Sequence, residues 1–151
     1  MNPDAVRALL QRVAEASVDV AGERIAAIGP GLLALVAAGA GDDRERARQL
    51  AGKIARLRVF ADDEGRMNRS VAEVGGEVLL VSQFTLYADV SRGNRPGFTG
   101  AAEPGLGREL VDAVADELRA QGLRVQTGRF GAHMRVALIN DGPVTIWLDA
   151  P

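Results

Sequence analysis

Six short apolar runs, two amphipathic segments of helical spacing and the lack of any linker-like stretch predict one α+β domain over residues 1–151. Its core would be a strongly curved mixed sheet covered by two helices. The helices are the plainest elements. Residues 42–59 open on an Asp-Asp cap and place Ala47, Leu50, Ala51, Ile54 and Leu57 three and four residues apart, with Arg and Glu on the other face. Residues 104–121 begin with Pro in the first turn, carry Leu110, Val111, Val114 and Leu118 as their stripe, and stop at Gly122. Strands are predicted at 24–28, 32–37, 77–84, 124–127, 134–140 and 144–148, short runs bounded by Gly, Pro and Asn-Asp. The N-terminal stretch has two faces. Asn2-Pro3-Asp4 ahead of residues 5–16 has the start signal of a helix, whereas Val6, Ala8 and Leu10 alternate with Arg7, Leu9 and Gln11 as in a strand; periodicity tips it to helix.

The counts remove several kinds of chemistry. A chain of 151 residues that is 47% apolar can bury one substantial core. Without Cys there is no thiolate nucleophile, no disulfide framework and no cysteine-ligated metal, and nothing points outside the cell. The single histidine, His133, rules out two-His zinc motifs and leaves any Ser-His-Asp triad resting on that one residue. The longest apolar run, residues 31–40, is half of the roughly 20 residues that span a bilayer. With no signal-like start, a soluble cytoplasmic protein with no membrane partner is expected. At a net charge of −2 the chain carries no global basic footprint, and no DNA partner is expected. Every cation but Lys53 is Arg, a fork that suits phosphate, but beside the abundant Ala this reads as a coding bias.

Two segments break apolar runs with polar residues. Ser82-Gln83-Phe84-Thr85 ends the run Glu77-Val78-Leu79-Leu80-Val81 and would bring hydroxyls and backbone N–H groups to a sheet edge open to a ligand. The plainer reading is that Ser82 and Thr85 satisfy a turn. Asn140-Asp141-Gly142-Pro143-Val144-Thr145 lies between two apolar strands, where Asp-Gly reads as a tight hairpin turn. Gly before Pro also allows a cis bond, and would present carbonyl oxygens bare of side chain. Other segments are plainer. His133 has no nucleophile elbow to serve and reads as a surface or polar-network residue; residues 61–65 lack calcium-loop spacing and read as a solvated turn. Gly29-Pro30-Gly31 lacks the Lys and hydroxyl of a phosphate loop and reads as a turn. No metal or other cofactor is expected.

Together the two motifs resemble the signatures of the D-aminoacyl-tRNA deacylase family, formerly called D-Tyr-tRNA(Tyr) deacylases. Gln11-Arg12-Val13, Ile28-Gly29-Pro30-Gly31, Leu57-Arg58-Val59-Phe60, Gly65-Arg66-Met67-Asn68-Arg69-Ser70, Arg95-Pro96 with Phe98, and Thr127-Gly128-Arg129-Phe130-Gly131-Ala132 are similar to family blocks in the same order. The resemblance covers nearly the whole chain. It implies a compact β-barrel-like α+β fold with residues 6–13 as the first strand, and a homodimer with active sites at the interface. The implied reaction is ester hydrolysis at the aminoacyl 3′ end of a tRNA charged with a D-amino acid. By the same resemblance Ser82, Gln83, Phe84 and Thr85 are catalytic, and Gly142, Pro143, Arg12, Met67 and Asn68 bind substrate. Gly142-Pro143 would be a cis pair, braced by Arg12, that reaches into the partner's site and rejects L-residues, letting glycyl-tRNA through. The resemblance favours water attack assisted by the 2′-hydroxyl of the tRNA; Thr85 as acyl-accepting nucleophile is the alternative. The chain departs from the family in Met1 to Asp4, ahead of the usual start, and in the small Ala37-Ala38-Gly39-Ala40; His133 stands at a variable position.

Two other readings compete. One is a non-catalytic RNA- or nucleotide-binding module in which Arg56, Arg58, Arg66, Arg69, Arg92 and Arg95 form a local basic patch. The other is a structural dimer with vestigial motifs.

Overall fold

The computed structural model describes residues 5–150; Met1 to Asp4, with the Asn2-Pro3-Asp4 signal, lie outside them. Strand β1 (Arg7–Val20) is the spine. The helical expectation for residues 5–16 is therefore wrong, and the reason lies in one bulge and in the burial of both faces of the strand. Against the last strand, the register of β1 shifts between Gln11 and Val13 and again between Val13 and Glu15. Ala8 and Leu10 face one core cluster, whereas Val13, Ala16 and Val18 face the other. Leu10 and Val13, three residues apart, lie on opposite faces by ordinary alternation; the first shift puts its extra residues in the last strand, and the second adds one to β1, so that Val13 and Ala16 share a face and the steps of three imitate a helix.

Strand β2 (Glu23–Ile28) returns along β1 through Ala21 and Gly22, both with positive φ (51° and 80°), the geometry of a tight type I′ hairpin. After a turn at Gly29-Pro30, β3 (Gly31–Ala37) continues along the same edge of β1, pairing Val13 with Gly31 through Arg7 with Ala37. Helix α1 (Arg44–Arg56) follows, then the small hairpin β4 (Phe60–Ala61) and β5 (Met67–Arg69), whose tip is the solvated turn expected at 61–65. Strand β6 (Glu77–Ser82) leads to a 3-10 turn at Phe84–Tyr87, and helix α2 (Pro104–Ala120) to β7 (Arg124–Thr127) and β8 (Arg135–Asp149). The strand expected at 77–84 thus stops at Ser82.

Both helices are stopped by local chemistry. Asp43 caps α1 by accepting the Arg46 N–H at 3.0 Å, and the chain turns extended at Leu57, short of the expected residue 59. Glu103 caps α2 by accepting from Leu106 and Gly105, and Gly122 (φ 89°) ends it.

Strands β3, β6 and β7 run parallel, with α1 and α2 in the crossovers. Such strands are covered on both faces and read as continuous apolar runs. Leu32, Ala34 and Val36 pack under the helices against Leu50, Ile54, Leu110 and Leu118. Leu33, Leu79 and Val81 turn the other way, onto Val13, Val18 and Ile28. Gly31 permits the β3–β6 pairing, since a Cβ there would sit 1.9 Å from the Glu77 carbonyl oxygen. The Ala27 N–H donates to Gln126 Oε1 at 2.8 Å, tying β2 to β7 and nearly closing the sheet into a barrel around the second cluster. The expected α+β, β-barrel-like mixed sheet with two covering helices is the architecture found.

Strand β8 corrects the hairpin reading. Its halves both pair antiparallel with β1, from Asp19 opposite Arg135 to Val13 opposite Asn140, then from Gln11 opposite Thr145 to Arg7 opposite Asp149. The chain does not reverse. An Asp-Gly step makes a hairpin only when its flanking strands find each other, and here 14-residue β1 is a template for both. Residues 141–144 bulge out instead, where Pro143 owes the ladder no N–H.

Candidate active site

Ser82 ends β6 at the carboxyl edge of the parallel strands, the usual place for a ligand in such sheets. The Gln83 N–H donates to the Val36 carbonyl at 2.8 Å, which fixes where the chain leaves the sheet. The turn that follows is closed by Leu86 N–H to Gln83 O (3.1 Å) and Ala88 N–H to Thr85 O (3.0 Å). It is moored to the N-terminal strand. The Tyr87 hydroxyl donates to the Ala5 carbonyl, and the Arg7 guanidinium lies 4.0 Å over the Tyr87 ring. The first N–H groups of a helical turn have no partner within it, and in this turn they belong to Phe84 and Thr85.

A cleft of about 690 Å³ opens beside this segment, lined by Ser82, Gln83, Phe84, Phe98, Phe130 and His133 among others. Phe84 is 57% exposed and meets Phe98 edge to face, centroids 5.0 Å apart. Thr85 is exposed but not part of the lining; its hydroxyl accepts from Gln83 Nε2, and among the described residues no carboxylate or imidazole is hydrogen-bonded to it. Glu103 reaches the cleft wall, but its carboxylate is taken up capping α2.

The other expected residues gather elsewhere. Arg12 donates from Nε to the Asp141 carbonyl (2.8 Å) and from NH1 to the Val59 carbonyl (2.6 Å). Asn140 Nδ2 donates to the carbonyls of Arg12 (3.1 Å) and Val144 (3.0 Å). Between these clamps the Gly142–Pro143 peptide bond is cis, and a Cβ on Gly142 would fall 2.2 Å from the Val144 nitrogen. Val59 leads into the β4–β5 hairpin, where Met67 is exposed and Asn68 Nδ2 donates to Asp62 Oδ2 at 3.4 Å. The Asp62 carboxyl sits below its ordinary pKa, chiefly through the Arg66 N–H it accepts, with the Glu64 N–H adding to it. Neither Gly142 nor Pro143 lines the cleft of its own chain.

Sequence reasoning missed the roles of three residues. Asn140 is a clamp, not merely a turn residue. Phe98 and Phe130 join Phe84 in one cleft, so three of the chain's four phenylalanines meet there; their placement in polar, glycine-rich loops was the available signal. Within the suggested basic patch, Arg66 pairs with Glu64 (3.8 Å) and Arg69 with Asp63 (3.0 Å), so two of its six cations are locally compensated. Among the described residues no helix is long and apolar enough to cross a membrane.

The chain is similar to known proteins over nearly its whole length. Residues 9–149 match the family model described as D-Tyr-tRNA(Tyr) deacylase. The chain is 60% identical over 145 residues to a D-aminoacyl-tRNA deacylase of Thermomicrobium roseum, covering 96% of this chain and 94% of that protein. It is 59% identical over 144 residues to one of Ruegeria pomeroyi, covering 95% and 99%. Among solved structures, a c-Myc DNA unwinding element binding protein superposes with a TM-score of 0.90 at 40% identity, covering 96% of this chain and 99% of that one. A probable eukaryotic D-amino acid tRNA deacylase superposes at 0.83 and 20% identity over the same shares, a likeness of fold. With its two motif segments in place and nearly its whole length matched, the chain belongs to the D-Tyr-tRNA(Tyr) deacylase family.

Proposed function

We propose that this protein hydrolyses the ester joining a D-amino acid to the 3′ end of tRNA, as one domain that works in the cytoplasm as a homodimer and needs no cofactor. The observation that carries the reading is the exit of β6 into the cleft, where Ser82 and Gln83 wall a space next to the unpartnered N–H groups of Phe84 and Thr85. Hydrolysis of an ester passes through a tetrahedral oxyanion, and fixed N–H donors aimed at it stabilise the charge as it develops. Those two N–H groups form the oxyanion hole. Thr85 offers no activated hydroxyl, because its oxygen is engaged as an acceptor and no base adjoins it. Water attacks, helped by the neighbouring 2′-hydroxyl of the terminal ribose, which the substrate itself brings into position.

Gly142 and Pro143 serve the site of a second copy. They are braced by Arg12 and Asn140 yet line no cleft of their own chain. The geometry of β8 favours such pairing: it is bonded to β1 alone and carries exposed Leu138, Ile139 and Trp147. Inserted into the partner's cleft, the Gly142 and Pro143 carbonyls accept from the α-ammonium of the substrate. A D-side chain then points outward, and an L-side chain strikes the Pro143 wall. Met67 and Asn68 flank that entry. Glycine has no side chain to reject, so glycyl-tRNA is also cleaved.

Purified protein incubated separately with D-Tyr-tRNA and L-Tyr-tRNA tests the reading by release of free tyrosine. Release from the D-substrate alone is expected. Release from both would make the protein a nonspecific esterase, and release from neither would leave the RNA-binding reading.

A further inference from the structure

We infer that a hollow beside the cleft, walled by His133 and Arg135, binds the phosphate linking the terminal nucleotide of an RNA strand to the one before it. The inference rests on the deacylase reading. The hollow, of about 420 Å³, is lined by Asp19, Ala21, Gly22, His133 and Arg135, and His133 is shared with the cleft. His133 and Arg135 are exposed, and among the described residues neither enters an ion pair. The one carboxylate in the lining, Asp19, is compensated by Arg24 at 3.0 Å. More positive charge lies beside the cleft, where the Arg108 guanidinium stands 5.9 Å over the ring of Phe130 in the cleft lining. A net −2 chain therefore holds uncompensated cations where a strand must leave the cleft.

The geometry of ribose sets the direction. Its 3′-oxygen and its 5′-carbon lie on opposite faces of the ring, so a sugar that aims its ester at Ser82 to Thr85 sends its 5′-phosphate away from them, towards the mouth. The Arg135 fork presents paired donors to phosphate oxygens, and the His133 imidazole adds a further N–H at the junction of the two spaces. Terminal nucleoside in the cleft and phosphate in the hollow form one continuous footprint.

Calorimetric titration with the trinucleotide CCA and with adenosine tests this without any aminoacyl group. Wild type is expected to bind CCA about tenfold more tightly than adenosine, with log affinity falling on added salt by about 0.7 per decade for each phosphate held. Arg135→Gln, outside the cleft lining, should remove most of that preference and leave adenosine binding unchanged, while Arg135→Lys retains most of it. Equal affinity of wild type for CCA and adenosine, or a preference that survives Arg135→Gln, overturns the inference. Failure to hydrolyse D-Tyr-tRNA with the CCA preference intact would sink the deacylase reading and leave the phosphate site standing.

Discussion

The two motif segments are held in opposite ways. Around residues 141–144 the nearby side chains immobilise backbone: Arg12 grips the carbonyls of Asp141 and Val59, and Asn140 those of Arg12 and Val144. Around residues 82–85 the chain is fixed where it leaves the sheet, where its turn closes and where Tyr87 meets the N-terminal strand, and Phe84 stands exposed over an open cleft. One region is a rigid projection without a cavity, the other a cavity whose wall mixes aromatic rings with Ser82, Gln83 and His133. On the proposed reading they are complementary between copies, so damage to the projection should reach a site its own chain does not contain.

The largest effect is expected at Gly142. A Cβ there meets the Val144 nitrogen at 2.2 Å, a backbone atom that cannot swing aside, so the bulge must re-form. Gly142→Ala should lower kcat/KM for D-Tyr-tRNA by about a hundredfold or more at a stability cost of about 1–3 kcal/mol. Single-turnover kinetics beside thermal unfolding separate the two. Activity within a few-fold of wild type would show that the projection does not touch substrate.

Arg12→Gln comes next. It removes two charge-assisted hydrogen bonds while leaving the Asp141 and Val59 carbonyls partly open to water, so a loss of about 1–2 kcal/mol is expected. Its ion pair with Asp141 (3.6 Å) adds little, since that carboxylate is exposed. Activity should fall about tenfold through a loosened bulge, less than for Gly142→Ala, because Asn140 still holds. The reverse order would place Arg12 on the substrate itself. On the cleft side, Thr85→Val keeps the backbone N–H and deletes the hydroxyl, and turnover should stay within about threefold of wild type. A loss of several hundredfold would restore Thr85 as the nucleophile.

The contrast also marks what the sequence could carry. The helices, the parallel strands and the exit at Ser82 follow from spacing and apolar runs, which are local properties. The N-terminal strand and the 141–144 bulge do not: whether residues 10, 13 and 16 line a helix or a bulged strand depends on β8, far away in the chain. Asp-Gly likewise became a bulge because β1 competed for both flanks. Ser82 to Thr85 could be singled out as polar residues at a run's end, whereas the clamp by Asn140 is set by long-range partners. The role of Gly142-Pro143 could be suggested only by the family resemblance.

The smallest effect distinguishes the footings of the two regions by pH. Beneath the cleft, Asp42 accepts the N–H groups of Gly39 and Asp43 (both 3.2 Å), but burial outweighs them and holds its pKa above the ordinary 3.8. A raised carboxyl contributes stability that is complete below the unfolded value and is lost as pH rises through the folded one. Asp62, beside the bulge's clamp, is depressed by the Arg66 and Glu64 N–H groups, so its contribution is present above the unfolded value and is lost as pH falls through the folded one. Acidification from about pH 6 to pH 3 should therefore raise the exchange protection of the Gly39 amide and lower that of Arg66, each corrected for its intrinsic rate. Asp62→Asn should flatten the Arg66 response and leave Gly39 alone. Two amides falling together would mean that general acid unfolding, rather than these two carboxylates, governs both footings.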